Sequence, residues 1–186
     1  LTLSANLFHN AHRDAQRALA RTFVGPASTL VWYELYNVAR ATSEGLEASV
    51  EWRASDQLTL RGGLGLLRTE IEDRGTATGF DGKAFARAPK RSATLAVEWR
   101  PLDRFTLSGR LRHSSSYFSD DLNSAVRKID GGTEADVRAA LDWGRSTLSA
   151  YARNLTDRFA MTYLFSATSG VPNKPREIGL SLETRF

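Results

Sequence analysis

The segment KPREIGLSLETRF alternates apolar and polar residues. Ile178, Leu180, Leu182 and Phe186 fall on one side of an extended chain, and Glu177, Ser181, Glu183 and Arg185 on the other. A period of two would scatter these apolar groups around a helical turn, so the segment predicts a strand. The pattern recurs upstream. Leu46, Ala48, Val50 and Trp52 share a face in GLEASVEWR, and Ala93, Leu95, Val97 and Trp99 in RSATLAVEWR. In TEADVRAALDW the shared face carries Ala135, Val137, Ala139, Leu141 and Trp143. Each strand closes on an aromatic of its apolar face, at positions 52, 99, 143 and 186, which marks a repeated hairpin.

Partner strands follow at once after tight turns. LTLRGGLGLL sets Leu58, Leu60, Leu64 and Leu66 against Thr59, Arg61, Gly63 and Gly65; FTLSGRLRHSSSYF and TLSAYARN repeat the scheme. LTLSANLFHN opens the chain, and TLVWYELYNV runs into the strand ending at Trp52, so eight strands are expected. RDAQRALAR, residues 13–21, is rich in helix formers but is read as the upper end of the first strand and its loop. Connections on the tryptophan side are two to four residues, whereas EDRGTATGFDGKAFARAP, SDDLNSAVRKIDGG and TDRFAMTYLFSATSGVPNK lie on the other side. Short turns on one rim and long loops on the other are the arrangement of an outer-membrane barrel, with the aromatics as its interfacial girdle and the apolar face toward lipid. A soluble sandwich also alternates. Its strands would carry bulkier cores than these alanine-rich faces, and aromatic closure along one rim has no use there.

Mean hydropathy is −0.35, which a scan for membrane helices reads as soluble, yet barrel strands expose lipid-facing residues only at every second position. No window supplies the ~20 apolar residues of a spanning helix. There is no cysteine, which excludes disulfide frameworks and thiolate metal sites. The net charge is +4, but the arginines are scattered along strand faces instead of forming a stripe, so no nucleic-acid partner is expected. Leu1 is preceded by no start methionine or signal core, and the chain is expected to be a fragment or a mature C-terminal piece.

Four motifs add a resemblance. YNVARATSEGLEASVEWRASDQLTLRGGLGLLRTEIED resembles the stretch of TonB-dependent outer-membrane receptors in which an Asn-x-x-x-Ala-x-Ser/Thr-x-Gly-x-Glu run enters a long hairpin. FARAPKRSATLAVEW is similar to the next element, YARNLTDRFA to the Arg-Asn-Leu-x-Asp motif, and PREIGLSLETRF to the Pro-Arg-x-x-Gly terminus. The resemblance implies an all-β, antiparallel transmembrane β-barrel in the bacterial outer membrane, this chain forming the last eight of 22 strands. It implies TonB-powered uptake of a scarce nutrient such as a ferric siderophore. The partners it implies are outer-membrane lipid, a plug domain and the TonB system, carried by an N-terminal part outside this chain, and the barrel-assembly machinery. Gly179, Leu180, Leu182 and Phe186 would form the assembly signal. No cofactor is implied. Two other functions are compatible with the pattern: a self-contained eight-stranded barrel with a structural or adhesive role, since eight strands can close, and a barrel hydrolase.

Candidate chemistry is sparse. Histidines occur at His9, His12 and His113. His113 and Ser115 share the outward face near Asp120 and Asp121, which suits interfacial polarity better than a catalytic set, so no catalytic residue is expected. No His, Cys or carboxylate set has metal-ligand spacing, and Asp120, Asp121, Asp130 and Glu134 lack that of a calcium loop. Arg61, Arg110, Arg112, Arg138 and Arg153 share the lumen face. They can line an anion path or pair with Glu47, Glu51, Glu98, Asp136 and Glu183 to hold the barrel, and the structural role is favoured. Loop positions expected to meet a ligand are Tyr33, Tyr36, Arg74, Phe80, Arg87, Lys90, Arg127, Lys128 and Tyr163.

Overall fold

The structure is a computed structural model that describes residues 1–186. Strands β1 (Thr2–Val24) and β2 (Thr29–Arg53) form one antiparallel hairpin, in register from Thr2 opposite Glu51 to Val24 opposite Thr29. They are followed by β3 (Leu58–Glu72), β4 (Arg91–Leu102), β5 (Phe105–Ser114), β6 (Tyr117–Phe118), β7 (Lys128–Ile129), β8 (Gly132–Trp143), β9 (Ser146–Arg153), β10 (Met161–Leu164), β11 (Gly170–Pro172) and β12 (Glu177–Thr184). The main sheet is antiparallel and eight-stranded, in the order β1-β2-β3-β4-β5-β8-β9-β12. The pairs β6–β7 and β10–β11 are small ribbons within the long loops.

Residues 13–21 are strand throughout and carry β1 on to Val24, so the first hairpin is longer than its alternation suggested. At ~3.3 Å per residue, strands of 23 and 25 residues reach roughly 80 Å, about twice what the 12 residues of β4 span. The expected strand over residues 105–118 is interrupted: β5 ends at Ser114, and Tyr117 and Phe118 pair instead with Ile129 and Lys128.

Register makes the two faces continuous. Val50, Gly62, Leu95, Leu111 and Ala135 face one another in turn across five strands, as do Glu51, Arg61, Ala96, Arg110 and Asp136 on the opposite face. The apolar face is bare. Leu95 is 52% exposed, Trp143 77%, Leu180 76% and Leu182 70%, and only 12 of the 186 residues are buried. A sandwich would cover this face with a second sheet; here none lies against it, and so broad an apolar surface needs an apolar surrounding. Strands β1 and β12 are unpaired edges of an open sheet, which overturns the self-contained eight-stranded barrel, because closure would require them to pair.

The one buried cluster lies beyond the last apolar row, where Leu19, Val38, Ala41, Ile71 and Phe80 meet, with Tyr36, Phe85 and Leu122 against them. Val38 and Ala41 are both fully buried although an odd number of residues apart, so the hairpin changes its inward side between them. Asp14 lies at this level of the partner strand, between Arg13 opposite Arg40 and Ala15 opposite Val38, with φ at 52°. That left-handed residue is the local break, and Asp tolerates it better than most side chains.

Candidate functional site

The polar face of the sheet is built from alternate residues of β2 to β12, and its charges separate into two groups. Three of the five arginines singled out in the sequence are paired. The Arg61 guanidinium donates to Glu51 at 3.0 Å, Arg112 lies 3.0 Å from Asp136 and 3.5 Å from Glu134, and Arg153 donates to Glu177 at 3.1 Å. The expected carboxylates contribute unevenly. Glu51 and Asp136 serve as foreseen, whereas Glu98 binds Arg100 at 2.6 Å, two residues along its own strand face. Glu47 and Glu183 form no ion pair, and Glu134 and Glu177 take their place.

Arg110 and Arg138 have no carboxylate in ion-pair range. Arg138 donates only to the Ser149 hydroxyl, at 2.6 Å. Arg110 lies directly opposite Asp136 and Arg138 opposite Ser108, which makes the two guanidinium groups diagonal neighbours on one face. Together with Arg61, Arg153, Tyr151 and the carboxylates of Glu98 and Asp136 they line a cavity of about 330 Å³. Above it, toward the long loops, a second cavity of about 650 Å³ shares Arg110, Asp136 and Arg153 and adds Arg112, Asn173 and Lys174, with Glu134, Glu177 and two prolines, Pro172 and Pro175, in its wall. Tyr151 and Lys174 were missed in the sequence; the signal for Tyr151 was its shared parity with Arg153.

The loops are anchored by side chain to backbone contacts. Asn154, buried and at φ 46°, donates from its amide to the carbonyls of Arg158 and Lys174 and accepts from the Arg158 amide. Asp157 accepts from the Arg176 amide at 3.3 Å, so the Arg-Asn-Leu-x-Asp motif ties the end of β9 to the start of β12. The Arg158 guanidinium donates to the Gly131 carbonyl at 2.8 Å and joins this loop to the one before β8. Asn123 pairs with both backbone groups of Ala84 at 2.8 Å, and Asp121 accepts from the Ala86 amide at 2.7 Å. Arg17 of the long hairpin stacks over Phe85 at 4.1 Å and lies 3.9 Å from Asp121. Three segments are thereby fastened into one rim.

The ligand candidates of the loops divide accordingly. Phe80 is a correction: fully buried, it is a packing residue beneath Leu19, Val38 and Ile71 and has no surface to offer a ligand. Arg87 and Tyr163 are brought together, the guanidinium 5.8 Å from the ring centre, with Phe165 edge-on to Tyr163 at 4.9 Å. Arg127 is held by Asp120 at 3.8 Å. Arg74, Lys90 and Tyr33 are exposed, and Lys128, also exposed, lies beside the cluster on β7, next to β10 and opposite Phe118, whose carbonyl accepts from the Arg87 amide. Tyr36 hydrogen-bonds Glu34 and accepts from Arg21 at 2.8 Å near the hairpin tip. The Tyr36 hydroxyl, with Trp32 and Arg21, pulls the Glu34 carboxyl down to about 2.

The remaining candidates have other work. His113 shares a hydrogen bond with Thr133 at 2.9 Å, and the Ser115 hydroxyl accepts from the Arg91 amide at 3.0 Å. Asp120 accepts from the Ser124 amide at 2.9 Å. His113 and Ser115 are thus engaged in separate contacts within the sheet. Leu180 and Leu182 stand out on the apolar face of β12, and Gly179 lies beneath Tyr151, whose hydroxyl would be 2.6 Å from an added Cβ. Phe186 is fully exposed beyond β12.

Residues 1–155 match the family model described as TonB dependent receptor-like, beta-barrel. Among solved structures, the ferric yersiniabactin uptake receptor FyuA from Yersinia pestis superposes with a TM-score of 0.79 at 18% identity, over 99% of this chain and 27% of that one. The siderophore receptor PiuA from Acinetobacter baumannii gives 0.75 at 17% identity, over 97% and 25%. The copper transporter OprC gives 0.76 at 16% identity, over 99% and 29%. At these identities the likeness concerns the fold, and the chain spans about a quarter of the length of the receptors it matches.

Proposed function

The chain belongs to the family of TonB-dependent receptor-like β-barrels, and from that premise we propose that it is part of the wall of an outer-membrane receptor that imports a small anionic metal chelate. In this reading the apolar face meets lipid, the short-turn rim faces the periplasm and the fastened loops face the medium. The TonB system and a plug domain act through a part of the protein outside these residues. The named neighbours carry different cargoes, ferric yersiniabactin in one and copper in another. The fold therefore leaves the cargo open, and the charge of the wall has to supply the choice.

The observation that carries the proposal is the pair Arg110 and Arg138. The acids of that cavity, Glu98 and Asp136, are bound to Arg100 and Arg112, so neither Arg110 nor Arg138 has an ion pair, and carboxylate or catecholate oxygens of a ferric siderophore supply the missing partner. The path to them runs from Arg87 and Tyr163 in the loops, past Lys174 and Arg112, to Arg110. The test is uptake of radiolabelled ferric chelates by cells that carry or lack the full-length gene. Uptake of an anionic ferric chelate should vanish with the gene and with TonB. Uptake that is indifferent to both would refute the proposal.

A further inference from the structure

The first hairpin continues well beyond the lipid. Leu7 opposite Leu46 is the last apolar row of its lipid-facing side, and the row of Ala18 and Leu35 stands roughly 35 Å higher along the strands. Above the switch at Asp14, Leu19, Val38 and Tyr36 turn toward the fastened loops, as does Arg17 over Phe85. Alternation then leaves three cross-strand pairs on the outer side: Ala18 with Leu35, Ala20 with Tyr33 and Thr22 with Val31. No charged residue occurs from Thr22 to Tyr33, yet Leu35 is 71% exposed, Tyr33 62% and Val31 52%, at a height where the surrounding medium is water.

The two strands of this outer face are unequal. β1 supplies the small side chains and β2 the large ones, so β2 stands as a ridge beside a shallow groove over β1. A twofold axis that relates two upright copies in one membrane runs along the membrane normal. Across such an axis, β1 of one copy meets β2 of the other at the same height. Ala18 then meets Leu35 of the second copy, Ala20 meets Tyr33 and Thr22 meets Val31. The ridge of each copy enters the groove of the other, and the face is complementary to itself.

We propose that this outer face of the hairpin is an interface between two copies of the receptor, closed by the seating of Val31, Tyr33 and Leu35 over Thr22, Ala20 and Ala18 of the second copy. The inference rests on the apolar side of the sheet meeting lipid, which holds both copies upright, and is independent of the cargo. The polar belt beneath adds nothing to the contact. There the same axis sets His9 opposite Glu44 but Arg13 opposite Arg40, and the acids Glu44 and Glu72 are already engaged by Arg68 and Arg40. About 30 Å of ribbon, roughly 10 Å wide, meets across the axis, on the order of 300 Å² per copy. That is less than a standard interface between proteins in solution, and it suits partners that one membrane already holds at the same height and orientation.

The test is energy transfer between donor-labelled and acceptor-labelled full-length receptors in liposomes, followed over a range of protein-to-lipid ratios. Transfer should exceed that of randomly dispersed proteins. Tyr33→Ala, which removes the ridge, and Ala20→Tyr, which fills the groove, should each weaken association about tenfold. The double variant exchanges ridge and groove between the strands and should recover to within about threefold of the unaltered receptor, a coupling that no unrelated partner would produce. Flotation with the liposomes and heat-dependent gel migration report insertion and folding, so a failure of the lipid-facing reading is told apart from a failure to associate. Random transfer by the unaltered receptor, single variants without effect, or a double variant no better than the singles would each overturn the proposal. Random transfer together with hydrogen-exchange protection of residues 18–24 and 29–35 would overturn it in favour of an earlier loop of the same chain as the cover.

Discussion

Arg112 lies 3.0 Å from Asp136, whereas Arg110, which faces Asp136 directly in the register, has no carboxylate partner. Asp136 is drawn toward the loops because it also accepts from the Asn154 amide at 3.0 Å. The arginine nearer the loops is therefore neutralised, and the one nearer the middle of the sheet is left charged.

The two arginines should respond differently to truncation. Arg110→Ala should weaken binding of an anionic chelate by about tenfold, on the order of 1.4 kcal/mol, with normal thermal stability. Arg112→Ala should lower unfolding stability by about 1 kcal/mol or less, because exposed pairs contribute little, and should disturb cargo affinity less. Titration calorimetry and thermal unfolding of the full-length receptor separate the two effects.

Gly45 admits no side chain. A Cβ there would lie 2.2 Å from the Leu66 carbonyl oxygen and 2.8 Å from the Phe8 ring, and the carbonyl belongs to the paired strand and cannot swing aside. Gly45→Ala should destabilise the barrel by about 1 to 3 kcal/mol in a refolding titration. A change within error would mean that β2 and β3 are less closely joined at this level than the geometry requires.

The hairpin tip should resist acid. Because the Glu34 carboxyl is held at about 2 against an ordinary 4.5, its contribution is fully present above pH 4.5 and disappears as pH falls through about 2. Hydrogen exchange at residues 20–36 should show a loss of protection over that window. Glu34→Gln should be less protected at neutral pH and should lack the acid-dependent step.

Much of this arrangement was legible in the residues. Leu46, Ala48, Val50 and Trp52 alternate without a break, and a strand covered by lipid on one face and water on the other has no simpler pattern. The length of the first hairpin was less visible, because Asp14 to Ala20 is poor in β-branched residues and its strand state is imposed by pairing with Tyr33 to Val38. Phe80 looked like a loop aromatic because its burial depends on Leu19 and Val38, far along the chain. The separation of Arg110 from the paired arginines was hidden for a similar reason. It follows from Asp136 reaching toward Asn154, a contact that alternation along single strands does not encode.

Phe186 should govern assembly and leave cargo recognition alone. It stands at the short-turn rim, beyond Leu182 on β12 and remote from Arg87 and Tyr163. Phe186→Asp in the full-length receptor should lower the amount inserted in the outer membrane, with cargo affinity per inserted molecule unchanged. Immunoblots of outer-membrane fractions alongside cell-surface binding distinguish the two quantities.

The account depends most on which face of the sheet meets lipid, and spin labels along β4 measure that directly. Residues 1–186 contain no cysteine, so single cysteines at Ala93, Thr94, Leu95, Ala96, Val97 and Glu98 can be labelled in turn in a full-length receptor with any cysteine outside these residues replaced by serine, and placed in liposomes. Labels at 93, 95 and 97 should be accessible to oxygen dissolved in the bilayer, and labels at 94, 96 and 98 to a water-soluble nickel chelate. The reverse assignment, or the same accessibility at all six positions, would contradict the membrane wall and with it the polar path past Arg110.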